Sequence, residues 1–207
     1  MPGRLITLEG GEGAGKSTAV TVVRDWLEAR GHEVVATREP GGTRVAEAIR
    51  DILLDPATGE LVPISELLLM FAARAENLAN IIEPALAAGK DVVCDRFTDA
   101  SMAYQGGGRE LGFAAVETLA GLVHPHRQPD LTLLLDVPVE TGMQRIRQRG
   151  AGEDRFESTR AGFLERVRQA YLQRAEAEPG RFVVIDASVP IERVHAEIAR
   201  TLDEQLA

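Results

Sequence analysis

Residues 5–18 constrain this chain more than any other stretch. Leu5-Ile6-Thr7-Leu8-Glu9 is an apolar, β-prone run, and Gly10-Gly11-Glu12-Gly13-Ala14-Gly15-Lys16-Ser17-Thr18 follows it directly. Gly, four residues, then Gly-Lys-Ser is the P-loop pattern, here in the strand-to-helix setting that it needs. The glycines let the backbone curl around a polyphosphate with its N–H groups pointing inward. The helix that follows presents its positive N-terminal end to the same anion. Lys16 can reach the β- and γ-phosphates, and the Ser17 hydroxyl can hold a bridging Mg²⁺. The plainer reading is a glycine-rich turn that merely contains a lysine. The chain has only two lysines, Lys16 and Lys90, so chance explains this one poorly. The stretch implies a bound nucleoside triphosphate.

At 207 residues the length suits one α/β domain with a full core. A formal net charge of −9 argues against general affinity for nucleic-acid backbones. Cys94 is the single cysteine, so no intrachain disulfide forms and a reducing compartment is expected. The start of the chain does not read as a signal segment, and no apolar run approaches membrane-spanning length. The expectation is a soluble cytoplasmic protein with no membrane or nucleic-acid partner.

Further along, strand-like and helix-like patterns alternate. Val20, Val23 and Leu27 keep helical spacing after the P-loop, and Gly31 is a suitable stop. Residues 32–37 read as a second strand running into Arg38-Glu39-Pro40-Gly41-Gly42-Thr43, a tight turn. Helix is expected from about Thr43 to Leu54, then an exposed loop to Pro63. Ser65 is expected to cap a long helix that reaches Ile82. Asp91–Asp95 reads as the third strand, and Gly106-Gly107-Gly108 as a break. A helix from about Phe113 to Val123 precedes the apolar fourth strand, Leu131–Asp136. Helices over about 139–148 and 159–177, a fifth strand at Phe182–Asp186 and a closing helix from Ile191 complete the pattern. The prediction is a single domain over residues 1–207. It has a five-stranded parallel sheet flanked by helices in the three-layer P-loop NTPase manner, with a short lid near 147–159. Ligands should collect at the carboxyl ends of the strands.

A P-loop alone does not separate a kinase from a GTPase or a motor. No Asn-Lys-x-Asp run occurs to read guanine. A small-substrate kinase needs an acceptor site, guanidinium groups around two approaching phosphates, and a cover against water. Arg38 and Arg96 lie just past strands expected to flank the P-loop, and either can grip an acceptor phosphate. Alternatively each pairs with its neighbour, Glu39 or Asp95. Asp95, Asp136 and Asp186 all end apolar strands, so spacing does not choose among them as support for a metal. Arg145 to Glu157 carries basic residues beside Gly150 and Gly152. This segment is either a lid bearing arginines or a solvated, salt-bridged helix end. Phe71 and Arg74 share a helix face and suit a nucleobase, although a Phe in an apolar helix is more often core. Tyr104-Gln105 precedes the glycine triplet and reads equally as a turn.

Taken together, these runs resemble the thymidylate kinase family of nucleoside monophosphate kinases over nearly the whole chain. The likeness rests on the P-loop, Thr37–Thr43, Asp95-Arg96-Phe97, Ala103–Arg109 and Asp154–Glu157. Arg-Glu-Pro-Gly-Gly-Thr and Tyr-Gln-Gly-Gly, in this order around a P-loop, are specific in a way the P-loop is not. The resemblance implies transfer of the ATP γ-phosphate to dTMP with Mg²⁺, on the route to dTTP, by a homodimer. It implies that Gly10 to Thr18 bind ATP, with Lys16 acting in catalysis and Ser17 and Asp95 serving the metal. It implies that Phe71 stacks on thymine, Arg74 bonds a thymine carbonyl, Ser101 and Gln105 line the base pocket, and Tyr104 lies beneath the deoxyribose. Arg38 and Arg96 would hold the dTMP phosphate, with Glu12 near the sugar and phosphates. One branch of the family carries an Arg in the P-loop where this chain has Gly13, so the arginine-rich lid is the expected source, with Arg149 and Arg155 foremost. The rival readings are a kinase for another monophosphate, such as dUMP or CMP, and a non-catalytic nucleotide switch.

One prediction follows for the lid. Assayed separately, at least one of Arg149→Ala and Arg155→Ala should lower kcat by on the order of 10² or more. Near-wild-type kcat in both would remove the lid assignment.

Overall fold

The computed structural model describes residues 2–148 and 157–206. The predicted alternation is present in full. Five parallel strands, β1 (Leu5–Gly10), β2 (Val34–Arg38), β3 (Asp91–Asp95), β4 (Leu131–Asp136) and β5 (Phe182–Asp186), form one sheet in the order β2-β3-β1-β4-β5. β1 is central and fully buried, as its apolar run requires. Its alternate residues face opposite layers: Ile6 and Leu8 pack in one core, Leu5 in another.

On the first face lie α1 (Lys16–Glu28) and α9 (Ile191–Leu206). Val23, Trp26 and Leu27 of α1 and Val194, Ile198 and Leu202 of α9 bury their apolar stripes there. On the other face are a wide π-helical turn (Leu78–Ile82), the short α4 (Glu83–Ala87) and α8 (Glu157–Ala177), while α3 (Pro63–Asn77) leads into that turn and buries Leu67 and Phe71 against Met102 and Val116. The remaining helices are α2 (Arg44–Leu54), α5 (Thr98–Ser101), α6 (Phe113–Val123) and α7 (Val139–Gln148). Among the described residues no helix is long and apolar enough to cross a membrane.

Several local expectations are corrected. Ser65 does not cap α3. The helix opens at Pro63 behind Val62, because proline has no N–H to leave unsatisfied and its φ is already helical. Thr43 is the cap of α2, its hydroxyl accepting from the Ala46 N–H at 3.1 Å. The second strand is shifted to Val34–Arg38, and the glycine triplet does not break the chain. Thr98–Ser101 is helical, and Met102–Gly108 continues it as a wide turn. The glycines there admit α8: a Cβ on Gly107 would lie 2.6 Å from Ala170 Cβ, and one on Gly108 2.5 Å from the Phe163 ring. Arg38 was expected on a strand beside the P-loop strand, but β3 separates β2 from β1.

Glu9, fully buried near the end of β1, ties these layers together. Its Oε1 accepts from the Phe97 N–H at 2.7 Å and its Oε2 from the Tyr171 hydroxyl at 2.8 Å. Burial, with the nearby Asp99 charge, raises its carboxyl from 4.5 to about 8, against the opposing pull of Arg96. The folded state therefore holds this proton more tightly than the unfolded chain. Its stabilising contribution is full below about pH 4.5 and is lost as pH rises through about 8. Urea midpoints should accordingly fall between about pH 6 and about pH 9, and Glu9→Gln should flatten that slope. Equal slopes in the two proteins would overturn this role for Glu9.

Candidate active site

The carboxyl ends of β3, β1 and β4 open onto one side of the sheet, and the loop after β1 lies between them. Gly13 has φ 73°, and a Cβ there would meet the Gly142 carbonyl oxygen at 2.3 Å; a Cβ on Gly142 would lie 2.4 Å from the Glu12 oxygen. The P-loop and α7 thus touch backbone to backbone, and no space exists at position 13 for an arginine while α7 sits where it does. Lys16 folds over the loop, donating from Nζ to Gly10 O at 3.0 Å and Gly11 O at 2.9 Å. Burial first, and then the Arg96 charge, lower its ammonium to about 7. Ser17 and Thr18 are exposed at the start of α1.

Beside the loop is a cavity of about 390 Å³, lined by Glu12, Glu66, Arg96, Tyr104, Gln105 and Arg109 among others. Arg96, in the left-handed backbone region at φ 72°, does not pair with Asp95. Its Nη1 donates to the Tyr171 hydroxyl at 3.1 Å and its Nη2 to the Tyr104 hydroxyl at 3.0 Å, with the guanidinium 4.6 Å from the Tyr104 ring centre. Its charge is held by hydroxyl oxygens, which leaves it available to an anion. Arg38 pairs with neither Glu39 nor the cavity. It donates to both oxygens of Glu47 on α2, at 3.1 and 3.0 Å, and its side chain is half exposed.

Arg50 lines the cavity instead, donating to Pro40 O at 2.8 Å beside the cis Glu39–Pro40 peptide. Sequence reasoning missed it, and its only signal was a helix position one turn from Glu47.

Phe71 and Arg74 are in contact: the guanidinium lies 4.4 Å from the ring centre. Both are buried, Phe71 at 2% and Arg74 at 0% exposure, with Phe71 parallel to the His124 ring at 6.2 Å. Arg74 Nε donates to Glu39 Oε2 at 2.7 Å, and its Nη2 donates to Phe97 O at 3.0 Å and Ser101 Oγ at 3.1 Å. Its Nη1, Gln105 Oε1 and Glu39 Oε1 are buried without hydrogen-bond partners.

The three strand-end aspartates now separate. Asp136 is bound by Arg168 at 2.8 Å through both oxygens, and Asp186 accepts from Ser188. Asp95 keeps a buried Oδ1 with no partner.

A second cavity, about 170 Å³, adjoins the other side of the loop and is lined by Gly13, Gly15, Arg145, Ala187, Val189 and Pro190 among others. Arg145 donates to Ala187 O at 2.8 Å. The residues after β5 carried no sequence signal for this role. Arg149 and Arg155 lie outside the described residues.

The described features meet known proteins across the whole chain. The thymidylate kinase family model matches residues 8–198. The thymidylate kinase of Chromohalobacter salexigens is 61% identical over 207 residues, covering 100% of this chain and 98% of its own length. That of Alcanivorax borkumensis is 51% identical, covering 100% and 99%. The crystal structure of thymidylate kinase from Ehrlichia chaffeensis superposes with a TM-score of 0.81 at 33% identity, covering 98% of this chain and 100% of that one. No observation favours a different monophosphate or a nucleotide switch. With a half-buried P-loop lysine, an arginine-lined cavity beside the loop and these matches, the chain belongs to the thymidylate kinase family and is an enzyme that phosphorylates dTMP with ATP as donor.

Proposed function

We propose that the P-loop, Gly10 to Thr18, holds the ATP phosphates, that the smaller cavity takes adenine, and that the larger takes dTMP. The observation that carries this reading is the buried pair of unmatched groups beside the larger cavity. Arg74 Nη1 can only donate and Gln105 Oε1 can only accept, and neither has a partner. Leaving such groups unpaired costs on the order of 1–3 kcal/mol each. Thymine offers the complement, an O4 acceptor beside an N3–H donor. Ser101, one helical turn before Gln105, is fully buried and accepts from Arg74, which holds the guanidinium in place from behind the cavity lining.

Arg96 and Arg50 supply guanidinium forks for the dTMP phosphate, with Arg38 further out and able to join by leaving Glu47. Tyr104 lies under the sugar, and Glu12 faces both sugar and phosphates. A dTMP phosphate oxygen attacks the γ-phosphorus, the bond to the β–γ bridging oxygen breaks, and ADP leaves. Lys16 follows the charge onto the β- and γ-oxygens, aided by lid arginines including Arg149 and Arg155. Arg145 and the Ala187–Pro190 segment suit a flat, mostly apolar base. Phe71 is 2% exposed, so a base reaches its face only after neighbouring side chains shift.

Among the described residues no cluster of three or more metal-ligating side chains exists. Mg²⁺ would therefore be carried largely by phosphate oxygens and water. Ser17 and Asp95 fit the remaining role, both offering hard oxygens, and Asp95 Oδ1 is otherwise unmatched. Bound there, Mg²⁺ offsets the negative charge of the phosphates. The protein is further read as a cytoplasmic homodimer. Support for the dimer comes from exposed Ile64 and Leu68 on α3 and Leu122 on α6, two helices in contact.

Phe71→Ala should raise the KM for dTMP about tenfold or more while leaving the KM for ATP nearly unchanged. Equal effects on both would return Phe71 to a purely packing role. In sedimentation velocity the wild type should run as a dimer and Leu68→Glu as a monomer; a monomeric wild type removes the dimer.

A further inference from the structure

We propose that Glu66 is a specificity-determining positioning residue: its carboxylate locks the Gln105 amide so that the base meets an acceptor and never a donor. The proposal rests on the larger cavity being the base pocket. Glu66 stands in the first turn of α3, 39 residues before Gln105 on the wide turn. Gln105 Nε2 donates to Glu66 Oε1 at 2.7 Å, and Arg109 Nη2 donates to Glu66 Oε2 at 2.9 Å. Both carboxylate oxygens are thereby engaged.

A glutamine amide is ordinarily an ambiguous reader. Rotation by a half turn exchanges its oxygen and nitrogen, so one side chain can accept from thymine N3–H or donate to cytosine N3. Here the rotation is blocked chemically. A carboxylate has no hydrogen to donate, so turning Oε1 toward Glu66 would set two acceptors against each other at hydrogen-bond distance. Water offers little relief, because the Glu66 side chain is 15% exposed and Gln105 is 4% exposed. Arg109 holds the second oxygen with a positive charge and itself lies 5.2 Å from the Phe163 ring centre. With one Nε2 hydrogen given to Glu66, Oε1 is the Gln105 atom that is buried and without a partner.

Arg74 contributes a donor that cannot be inverted, since guanidinium has no acceptor. Donor and locked acceptor together match O4 and N3–H of thymine or uracil. A cytosine ring presents an amino donor and a bare nitrogen instead, and both clash in polarity. A site built to hydrogen-bond in this way rejects the wrong partner strongly, because its buried groups are left unpaired.

Glu66→Gln tests this directly, because an amide at position 66 can donate or accept and so frees Gln105 to turn. The substrates are dTMP and 5-methyl-dCMP, which share shape and methyl group and differ along the edge in question. The kcat/KM ratio of dTMP to 5-methyl-dCMP should fall about tenfold or more, which corresponds to about 1.4 kcal/mol of lost discrimination. The loss for dTMP should appear in KM rather than kcat, and Glu66→Asp should keep a high ratio. Gln105→Ala is the control for the pocket itself: an unchanged dTMP KM there would show that the base lies elsewhere, and the proposal falls with it. If Gln105→Ala raises that KM but Glu66→Gln keeps the wild-type ratio, the pocket stands and the lock is refuted. Should Glu66→Gln not fold, Glu66→Ala, which removes the carboxylate that faces the Gln105 amide, carries the same expected fall and the same refutation.

Discussion

A carboxyl group sealed from water costs several kcal/mol unless donors surround it, and Glu9 is sealed completely. Its two acceptor contacts come from different layers: the backbone just past β3 and the hydroxyl of Tyr171 on α8. Tyr171 in turn receives Arg96, which also reaches Tyr104. The chain of contacts fixes three things relative to one another. The phosphate loop begins one residue after Glu9, the cavity arginine stands one residue before Phe97, and the tyrosine beside it sits on the wide turn. The P-loop and the arginine-lined cavity are therefore registered through a single buried group.

The same region is where the protein leaves hydrogen bonds unmade. Among the described residues, the buried side-chain atoms without partners belong to Glu39, Arg74, Asp95, Gln105 and Arg109. Four of these residues lie in or directly behind the larger cavity, and Asp95 ends the strand beside the P-loop strand. Unmatched polar groups destabilise a fold. Their confinement to one side of the sheet is how a site gives up stability in exchange for readiness.

Much of this was legible in the chain. The apolar run, the glycine loop and the alternation of patterns fix the fold class, because each depends on residues close together in sequence. The order of strands does not, and Arg38 was misplaced for that reason: adjacency of β2 to β3 is decided by packing across the sheet. Glycine disfavours helix locally, so the triplet reads as a break in sequence, whereas in the fold it lets α8 approach Met102–Gly108. Glu66 and Arg50 were invisible for a third reason. Their partners, Gln105 and the Pro40 carbonyl, are brought to them by tertiary structure alone. The aspartates could be ranked only once Arg168 and Ser188 were seen to occupy two of the three.

The contact between Gly13 and Gly142 reaches beyond geometry. Neither position has room for even one methyl group while the other element stays in place. The two glycines thus form a single heritable unit, and a side chain at residue 13 becomes tolerable only after α7 has withdrawn. A lineage with this packing cannot move a phosphate-facing arginine into the loop by one substitution. Its route is closed by an intermediate that disturbs the loop before any benefit arrives.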